Sequence, residues 1–345
     1  MKYDVVVIGA GPAGSTAAYT LARGGARVLL VDFKREVGTP VQCAEFVPSQ
    51  LAHRFPEFFT EETVVQRVRD MVHLTPWGEV VKMPSEGFML RRDSFDRLIA
   101  NLAVREGAEL LLRTLFLGFE DGKLWLEKVD TRERFSVNAD LVIGADGPRS
   151  RVARLTGDHT RSFLTTAQVT VPLREKLEDL VIYFRDYIPG GYGWVFPKGG
   201  LANVGVGVDP DFGVNVTKVL ERFIGEVISD GWVLGNVVSR TGGWIPAEGV
   251  KDPVRDNVLM VGDAGGFCHP ITGGGIASAV MTGSMAGEAV LEGSPGDYRD
   301  EALDTFGETL GRAVRKRIKY MKSWENLEFI IPRTWIAFEE YWKEE

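Results

Sequence analysis

The segment YDVVVIGAGPAGSTAAYTLARGGARVLLVD, residues 3–32, has the pattern of a strand, a tight turn, a helix and a second strand in direct succession. Residues 5–8 form a continuous apolar run, which is typical of the buried centre of a parallel sheet. The glycines that follow have the spacing G-x-G-x-x-G and are Gly9, Gly11 and Gly14. A helical pattern and a second apolar strand then lead to Asp32. The segment therefore predicts a βαβ unit with a glycine-rich first turn.

Each glycine of this turn has a physical task when a dinucleotide binds. Gly9 permits the tight turn, Gly11 lets a pyrophosphate approach the backbone, and Gly14 lets the helix pack on the strand. The N–H groups at the helix N-terminus bind phosphate, and Asp32 is placed to accept hydrogen bonds from the adenosine ribose. The residues predicted to bind a dinucleotide in this segment are Gly9, Gly11, Pro12, Ala13, Gly14 and Asp32.

A second glycine cluster, in NVLMVGDAGGFCHPITGGGIASAVMTG at residues 257–283, distinguishes FAD from NAD. An apolar strand ends at Asp263, and a helix begins after three consecutive glycines. Asp263 can bind the hydroxyls of a polyol, and a helix N-terminus stabilises the negative charge that a flavin gains on reduction. FAD has a ribityl chain and this ring, whereas NAD has neither. We therefore predict FAD, bound here by Gly262, Asp263, Gly274, Gly275 and Ile276.

Together these motifs resemble the flavoprotein superfamily with the para-hydroxybenzoate hydroxylase fold. The helix pattern RRDSFDRLIA, residues 91–100, is similar to a family motif that places Arg92 against FAD. The segment LVIGADGPRSRVAR, residues 141–154, is similar to one that places Asp146 near the phosphate side of the flavin. We also assign Phe116 to the cofactor site. The resemblance implies an α/β fold in which a Rossmann-like FAD/NAD(P)-binding domain carries an inserted antiparallel β-sheet substrate domain.

The predicted domain bounds follow from the positions of these motifs. The FAD-binding domain is discontinuous and comprises residues 1–65, 88–155 and 245–295. The substrate-binding β domain comprises residues 66–87 and 156–244, because several strand patterns there are interrupted by no dinucleotide motif. Residues 296–345 form a C-terminal helical segment.

Aromatic residues alternate along the strand pattern GYGWVFP, residues 191–197. Because the side chains of a strand point to alternate faces, one face carries Tyr192, Trp194 and Phe196. The next strand, LANVGVGV at residues 201–208, has glycines that leave room for a ligand or a ring edge. The predicted substrate-binding residues are Tyr192, Trp194, Phe196, Gly205 and Gly207.

Over residues 189–207 the sequence is similar to the Tyr-x-Trp-x-Phe-Pro … Asn-Val-Gly-x-Gly signature of the geranylgeranyl reductase family. PVQCAEFV, residues 40–47, is similar to that family's Cys-x-Glu loop beside the flavin, with Cys43, Ala44 and Phe46 as cofactor contacts. The resemblance covers residues 1–291. It implies an FAD-dependent reductase that saturates the C=C bonds of geranylgeranyl or other isoprenoid chains, in membrane lipids or a related prenyl compound. An isoprenoid offers no hydrogen bonds, so apolar burial binds it, at about 0.8 kcal/mol per methylene.

The implied reaction adds a hydride from flavin N5 to one alkene carbon and a proton to the other. The predicted catalytic residues are Cys43, Tyr192 and Trp194. Cys43 is the preferred proton donor, and the alternatives are Tyr192, His269 or a held water. Because the sequence has no second nucleotide fingerprint, an external donor supplies the electrons: NAD(P)H, a reduced deazaflavin or a ferredoxin. We predict no metal.

Composition excludes several other classes. The net charge of −8 disfavours a general nucleic-acid-binding role, and the two cysteines lack zinc-site spacing. Without a leader or an apolar run of about 20 residues, the sequence predicts a cytoplasmic protein. The alternatives on the same fold are a flavin monooxygenase or halogenase, and a prenyl-lipid carrier with an idle flavin is the non-enzymatic alternative.

The C-terminal helix pattern is amphipathic. Its apolar positions are Leu303, Phe306, Leu310, Val314, Ile318 and Met321, and its far side carries Arg312, Arg315, Lys316, Arg317 and Lys319. This basic side is interpreted either as docking on the inner face of an anionic membrane or as the solvated side of a helix packed on the FAD domain.

Overall fold

The computed structural model describes residues 2–343. The strands are β1 (Lys2–Ile8), β2 (Val28–Val31), β3 (Phe46–Pro48), β4 (Val64–Leu74), β5 (Val80–Leu90), β6 (Glu109–Leu111), β7 (Thr114–Glu120), β8 (Lys123–Lys128), β9 (Arg134–Gly144), β10 (Phe163–Pro172), β11 (Leu180–Tyr183), β12 (Tyr192–Lys198), β13 (Leu201–Val208), β14 (Ser239–Pro246), β15 (Val254–Arg255) and β16 (Val258–Met260). The helices are α1 (Pro12–Arg23), α2 (Gln50–Arg54), α3 (Arg92–Arg105), α4 (Arg151–Leu155), α5 (Val216–Ser229), α6 (Ile276–Leu291), α7 (Asp297–Lys322), α8 (Leu327–Thr334) and α9 (Glu339–Trp342). Short 3-10 turns cover Pro56–Phe58, Pro210–Phe212 and Gly262–Gly265.

The chain divides into two compact units. Unit 1 comprises Met1–Thr39, Asp93–Arg161 and Pro246–Gly311, and unit 2 comprises Pro40–Arg92, Ser162–Ile245 and Arg312–Glu345. Residues 40–65 and 88–92, assigned above to the FAD-binding domain, group with unit 2 because β3, β4 and β5 belong to the sheet of that unit. The bounds of the predicted domains stay a prediction.

Unit 1 contains a sheet in the order β15-β16-β9-β1-β2-β6, with β8 beside β9 and β7 beside β8. The central pairs β1–β2, β1–β9 and β9–β16 are parallel. Val5 and Val7 of β1 lie in a core with residues of α1 and α6, whereas Val6 and Ile8 lie in a second core with residues of β7–β9. Burial on both faces explains why this strand is continuously apolar, and the predicted Rossmann-like fold is confirmed.

Unit 2 contains a sheet in the order β14-β10-β13-β12-β11-β4-β5-β3. The pairs β10–β13, β13–β12 and β12–β11 are antiparallel, and β11 is parallel to β4. On one face, Val195 and Val204 pack in a core with Phe223 of α5. The predicted antiparallel β-sheet is confirmed, and α5 is an element that the sequence analysis did not predict.

The C-terminal helix α7 is present, but its predicted faces are wrong in part. Ile318, assigned to the buried face, is 50% exposed, whereas Lys316 and Arg317, assigned to the far side, are buried. Arg317 forms an ion pair with the buried Asp209, and Lys316 lies over the ring of Tyr341, so specific partners override the periodic pattern. Within residues 2–343, no helix combines the length and the apolar character needed to cross a membrane.

Candidate functional site

The carboxyl ends of four parallel strands lie level in unit 1. Ile8 of β1 is in register with Val31 of β2 and Gly144 of β9, and Gly144 is in register with Met260 of β16. The residues that follow these strand ends include Gly9, Asp32, Asp146 and Asp263. Ligands of open parallel sheets bind outside this edge, so the fold brings the predicted cofactor motifs of unit 1 together.

The glycines of the first turn fit the tasks assigned to them. Gly9 has φ +106°, and a Cβ there would lie 2.9 Å from the backbone nitrogen of Asp146. A Cβ at Gly14 would lie 2.9 Å from the Cβ of Ala145, whereas a Cβ at Gly11 would meet nothing within 4 Å. The space at Gly11 adjoins the N-terminus of α1, where no side chain caps the helix. This cradle fits a phosphate, which the first-turn N–H groups can bind.

Asp32 is buried at the end of β2 and is oriented by the backbone. Its Oδ2 accepts a hydrogen bond of 2.7 Å from the N–H of Ala10, and its Oδ1 accepts one of 2.8 Å from the N–H of Lys34. A carboxylate has about four acceptor positions, so two remain for ribose hydroxyls. The geometry suits the predicted role.

Asp146 and Phe116 have structural contacts of their own. The carboxylate of Asp146 accepts hydrogen bonds from the Ser150 hydroxyl at 2.5 Å and from the N–H groups of Arg151 and Val152 at 2.6 and 3.1 Å, so it caps α4. Phe116 is buried, with its ring 5.1 Å from that of Phe119. Contact of either residue with a cofactor stays a prediction.

The second glycine cluster forms another uncapped helix start. Gly275 is the N-cap of α6 and provides no side-chain cap for that helix end. A Cβ at Gly275 would lie 3.1 Å from Oδ1 of Asp263 and 3.3 Å from Sγ of Cys268. The absence of a side chain at this position therefore keeps the Asp263 carboxylate beside the N-terminus of α6. This arrangement can bind a polyol together with an electron-rich ring.

His269 organises the loop before α6. Its Nδ1 accepts hydrogen bonds from the N–H groups of Ile271 at 3.4 Å and Thr272 at 3.2 Å. Burial lowers the pKa of His269 to about 4. The imidazole is therefore neutral near pH 7, and these observations favour a structural role for His269 over that of a proton donor.

In unit 2 the predicted aromatic residues lie on one face of the sheet and are buried. We call Tyr192, Trp194 and Phe196 the aromatic row. In the sheet, each member of the row is paired with a residue of β13, which in turn is paired with a residue of β10. The three sets are Tyr192–Gly207–Thr166, Trp194–Gly205–Gln168 and Phe196–Asn203–Thr170. The same face therefore presents rings on β12, mostly glycine on β13 and polar side chains on β10.

The space at Gly205 is filled by the indole of Trp194. A Cβ at Gly205 would lie 2.5 Å from Cε2 and 2.9 Å from Nε1 of that ring. The indole therefore lies across β13, and its N–H donates a 3.0 Å hydrogen bond to Oε1 of Gln168 on β10. At Gly207, by contrast, a Cβ would be 3.6 Å from Thr166 and 3.8 Å from Trp194, which is ordinary contact.

Residues 41–45, which we call the crossing segment, run over this face and bond to successive strands. Val41 O accepts from the Thr241 hydroxyl of β14 at 2.8 Å, and Cys43 O accepts from Nε2 of Gln168 at 3.1 Å. Ala44 O accepts from Nδ2 of Asn203 on β13 at 3.3 Å. The segment that contains the predicted proton donor is thus attached to the sheet that carries the aromatic row.

Glu45 anchors the end of the crossing segment. Its buried carboxylate accepts from Nζ of Lys198 at 2.5 Å, from Nδ2 of Asn203 at 2.8 Å and from the N–H of Arg92 at 3.1 Å, the last at the start of α3. Glu45 has φ +74°, a strained conformation that costs about 1–3 kcal/mol and is held by these bonds. Its own N–H donates a 3.2 Å hydrogen bond to Sγ of Cys43, a contact that can stabilise negative charge if the sulfur loses its proton.

The sequence analysis assigned no site role to four residues of this arrangement, although the first and last lie in the motifs that it quoted: Glu45, Gln168, Lys198 and Asn203. The available signal was the period-two polar pattern Thr166, Gln168, Thr170 in a strand that is otherwise apolar. Phe46, the predicted cofactor contact that follows the crossing segment, has its ring 6.4 Å from that of Phe196 in an edge-on arrangement.

The C-terminal residues of unit 2 also contact the aromatic row. The ring of Trp335 lies 4.9 Å from Tyr192, 4.9 Å from Phe184 and 6.0 Å from His73. Trp335 Nε1 and His73 Nε2 are buried with no hydrogen-bond partner among the described residues. In the same part of the chain, no group of three His, Cys, Asp or Glu side chains is arranged to hold a metal ion.

Comparison with known proteins places the chain among flavoenzymes. It matches the pyridine nucleotide-disulphide oxidoreductase family over residues 3–183 and the geranylgeranyl reductase catalytic domain over residues 164–243. It is 33% identical to digeranylgeranylglycerophospholipid reductase 3 of Methanosphaera stadtmanae over 92% of this chain and 85% of the relative.

The solved structures that are similar over nearly the whole chain include the following two. A geranylgeranyl bacteriochlorophyll reductase-like protein of Thermoplasma acidophilum superimposes with a TM-score of 0.82 at 28% identity, covering 98% of this chain and 92% of that protein. A flavin-dependent brominase superimposes with a TM-score of 0.76 at 18% identity, covering 97% and 93% of the two chains. At that identity the second likeness concerns the fold alone.

Proposed function

We infer the function from the premise that the chain belongs to the digeranylgeranylglycerophospholipid reductase family. We propose that it is an FAD-dependent oxidoreductase. Its reaction saturates C=C bonds in the geranylgeranyl chains of a membrane lipid or a related prenyl compound. One observation carries the proposal: a buried aromatic row and the segment that contains Cys43 are attached to the same face of one sheet.

The residues of unit 1 account for cofactor binding. Gly11 and the N-terminus of α1 receive the pyrophosphate, Asp32 accepts from the adenosine ribose, and Asp263 with the N-terminus of α6 serves the ribityl chain and the ring. When bound and reduced, FAD supplies the hydride.

The residues of unit 2 account for the lipid. The alkene offers no hydrogen bonds, so binding depends on apolar burial against Tyr192, Trp194 and Phe196 at about 0.8 kcal/mol per methylene. Cys43 gives its proton to the alkene carbon that does not receive the hydride. The N–H of Glu45 then stabilises the sulfur anion that remains, at its 3.2 Å separation.

The test is anaerobic turnover. Protein loaded with FAD and chemically reduced is mixed with a digeranylgeranylglycerophospholipid, while flavin reoxidation and product mass are followed. We expect reoxidation coupled to the appearance of saturated bonds, and a slower reaction with unchanged FAD binding in Cys43→Ala. Reoxidation that needs oxygen and an aromatic substrate or halide would instead support a monooxygenase or halogenase. Lipid binding without reoxidation would support a carrier.

The electron donor and the membrane contact are parts of the same proposal. NAD(P)H, a reduced deazaflavin and a reduced ferredoxin are to be compared as sources by the rate of flavin reduction. For the membrane, Arg315, Ile318 and Lys322 are exposed at spacings that share one face of α7. An exposed apolar side chain between cations suits an anionic lipid surface.

Vesicle sedimentation tests this contact. Arg315→Glu/Lys322→Glu is expected to lose binding to vesicles that contain anionic lipid. The control variant Arg105→Glu/Lys123→Glu carries the same charge change at exposed positions of α3 and β8 and is expected to retain it. Equal binding of the two variants would remove α7 from the docking surface.

A further inference from the structure

Gln168 joins the aromatic row to the crossing segment. Its side chain is 5% exposed and lies on the face of β10 that Trp194 reaches across Gly205. Its Oε1 accepts a 3.0 Å hydrogen bond from the Trp194 indole, and its Nε2 donates a 3.1 Å hydrogen bond to the backbone oxygen of Cys43. One carboxamide therefore bonds at one end to a ring of the row and at the other to the residue proposed as proton donor.

These two bonds fix the amide in one orientation. The indole can only donate and a carbonyl oxygen can only accept, so a carboxamide, with an acceptor and a donor, satisfies both. Because the group is buried, rotation of the amide or loss of either partner leaves a polar atom unpaired, which costs more than the bond itself gains. The position of the Cys43 backbone is therefore linked to the position of the Trp194 ring.

Other anchors of the crossing segment lie on either side of Cys43. Thr241 holds Val41, and Asn203 holds Ala44 and Glu45. The bond from Gln168 is made to the backbone of Cys43 itself, next to the Cα that carries the thiol.

We propose that Gln168 is a positioning residue: it orients Cys43 for proton transfer and couples that orientation to the contact between the substrate and Trp194. This inference rests on the proposed function, in which Cys43 is the acid. It extends that function because Gln168 lies outside the cofactor and aromatic motifs. We expect Gln168 to affect the protonation step and to have no effect on cofactor binding.

The test uses variants that break one bond at a time. Gln168→Met keeps an unbranched side chain of similar length and removes both bonds, whereas Gln168→Glu keeps the acceptor for the indole and removes the donor to Cys43. Trp194→Phe removes the indole N–H and keeps a ring. Thr166→Val is the matched control, because Thr166 lies on the same strand as Gln168 and the substitution removes hydrogen bonds to Gly243 of β14.

Each Gln168 variant is expected to lower kcat about 5- to 10-fold, the effect of one buried hydrogen bond, with KM and FAD affinity within about twofold of the wild type. The solvent deuterium isotope effect on kcat should rise, because proton transfer becomes slower relative to the other steps. The double variant Gln168→Met/Trp194→Phe should be no slower than Gln168→Met, because both substitutions interrupt one connection. Thr166→Val should leave the isotope effect unchanged.

Alkylation of Cys43 by iodoacetamide, followed by peptide mass spectrometry, gives a second readout that needs neither lipid nor turnover. Its rate should change at least about threefold in the two Gln168 variants and stay constant in Thr166→Val, because only the former release the Cys43 backbone. If iodoacetamide alkylates Cys43 of the wild type but the protein reduces no alkene, the proposed function is refuted. The alkylation rates of the variants would still measure whether Gln168 positions Cys43. Unchanged alkylation and an unchanged isotope effect in folded Gln168→Met and Gln168→Glu would overturn the inference about Gln168.

Discussion

Replacing Gly205 by alanine places a methyl group where the structure has an indole. The new Cβ would lie 2.5 Å from Cε2 and 2.9 Å from Nε1 of Trp194, inside van der Waals contact, so the ring has to move. Overpacking of this kind costs about 1–3 kcal/mol, and the lost hydrogen bond to Gln168 adds about 1 kcal/mol. The alanine also lowers the conformational entropy of the unfolded chain, which stabilises the folded state by about 0.4–1 kcal/mol and offsets part of this cost.

Gly207→Ala is the matched control, since Gly207 lies on the same strand and face but has only ordinary contacts at 3.6 and 3.8 Å. It should keep the entropic gain without the steric cost, so the two variants should differ by about 2–4 kcal/mol in the free energy of local opening. Hydrogen exchange of β13 amides measures this quantity within unit 2 alone. Exchange in Gly205→Ala should be at least about 30-fold faster than in Gly207→Ala. Equal protection would refute the account of Gly205 as the gap through which Trp194 reaches Gln168.

Three further outcomes follow from buried polar groups. Burial lowers the pKa of His73 to about 4, so the unfolded chain binds a proton more readily between pH 6.5 and pH 4; on going from pH 7 to pH 4 the free energy of unfolding of the wild type should therefore fall by about 3 kcal/mol more than that of His73→Phe. Asp32→Ala leaves the N–H groups of Ala10 and Lys34 unpaired and removes the ribose acceptor, and flavin fluorescence should report at least about a tenfold weaker Kd for FAD. Arg317→Met leaves Asp209 buried without its partner at a cost of about 3–5 kcal/mol, which limited proteolysis should detect as faster cleavage of α7.

The nucleotide-binding part of the fold was predictable because its signals are local. Strand, glycines, helix and terminal acid lie within residues 3–32, and parallel strands meet at their carboxyl ends in any such sheet. The register of β1, β9 and β16 then brings Asp146 and Asp263 to the same edge as Gly9. Period-two alternation likewise predicted that the aromatic row shares one face.

The crossing segment was not predictable from such patterns because its bonds connect distant parts of the sequence. Cys43 and Gln168 are 125 residues apart, and Glu45 and Asn203 are 158 apart. The alternation of polar residues in β10 indicated a face but no partner. Periodicity failed for α7 for a related reason, since the ion pair of Arg317 with Asp209 determines which side of that helix is buried.

A row of polar side chains beside the aromatic row looks unfavourable for binding an isoprenoid, but the hydrogen bonds resolve the conflict. Gln168 is occupied by Trp194 and Cys43, the Thr170 hydroxyl donates to Asn203 at 3.0 Å, and the Thr166 hydroxyl bonds to the backbone of Gly243 at 3.0 and 3.2 Å. A polar group whose partners lie within the protein has no need of water, so it can face an apolar ligand at little desolvation cost. Substitution of Thr170 by valine, which leaves an acceptor of Asn203 unpaired, should therefore weaken lipid binding and expose the Ala44 backbone, although valine is the more apolar residue. Tighter lipid binding by Thr170→Val in a flavin-reoxidation titration would show that apolar character alone governs this face.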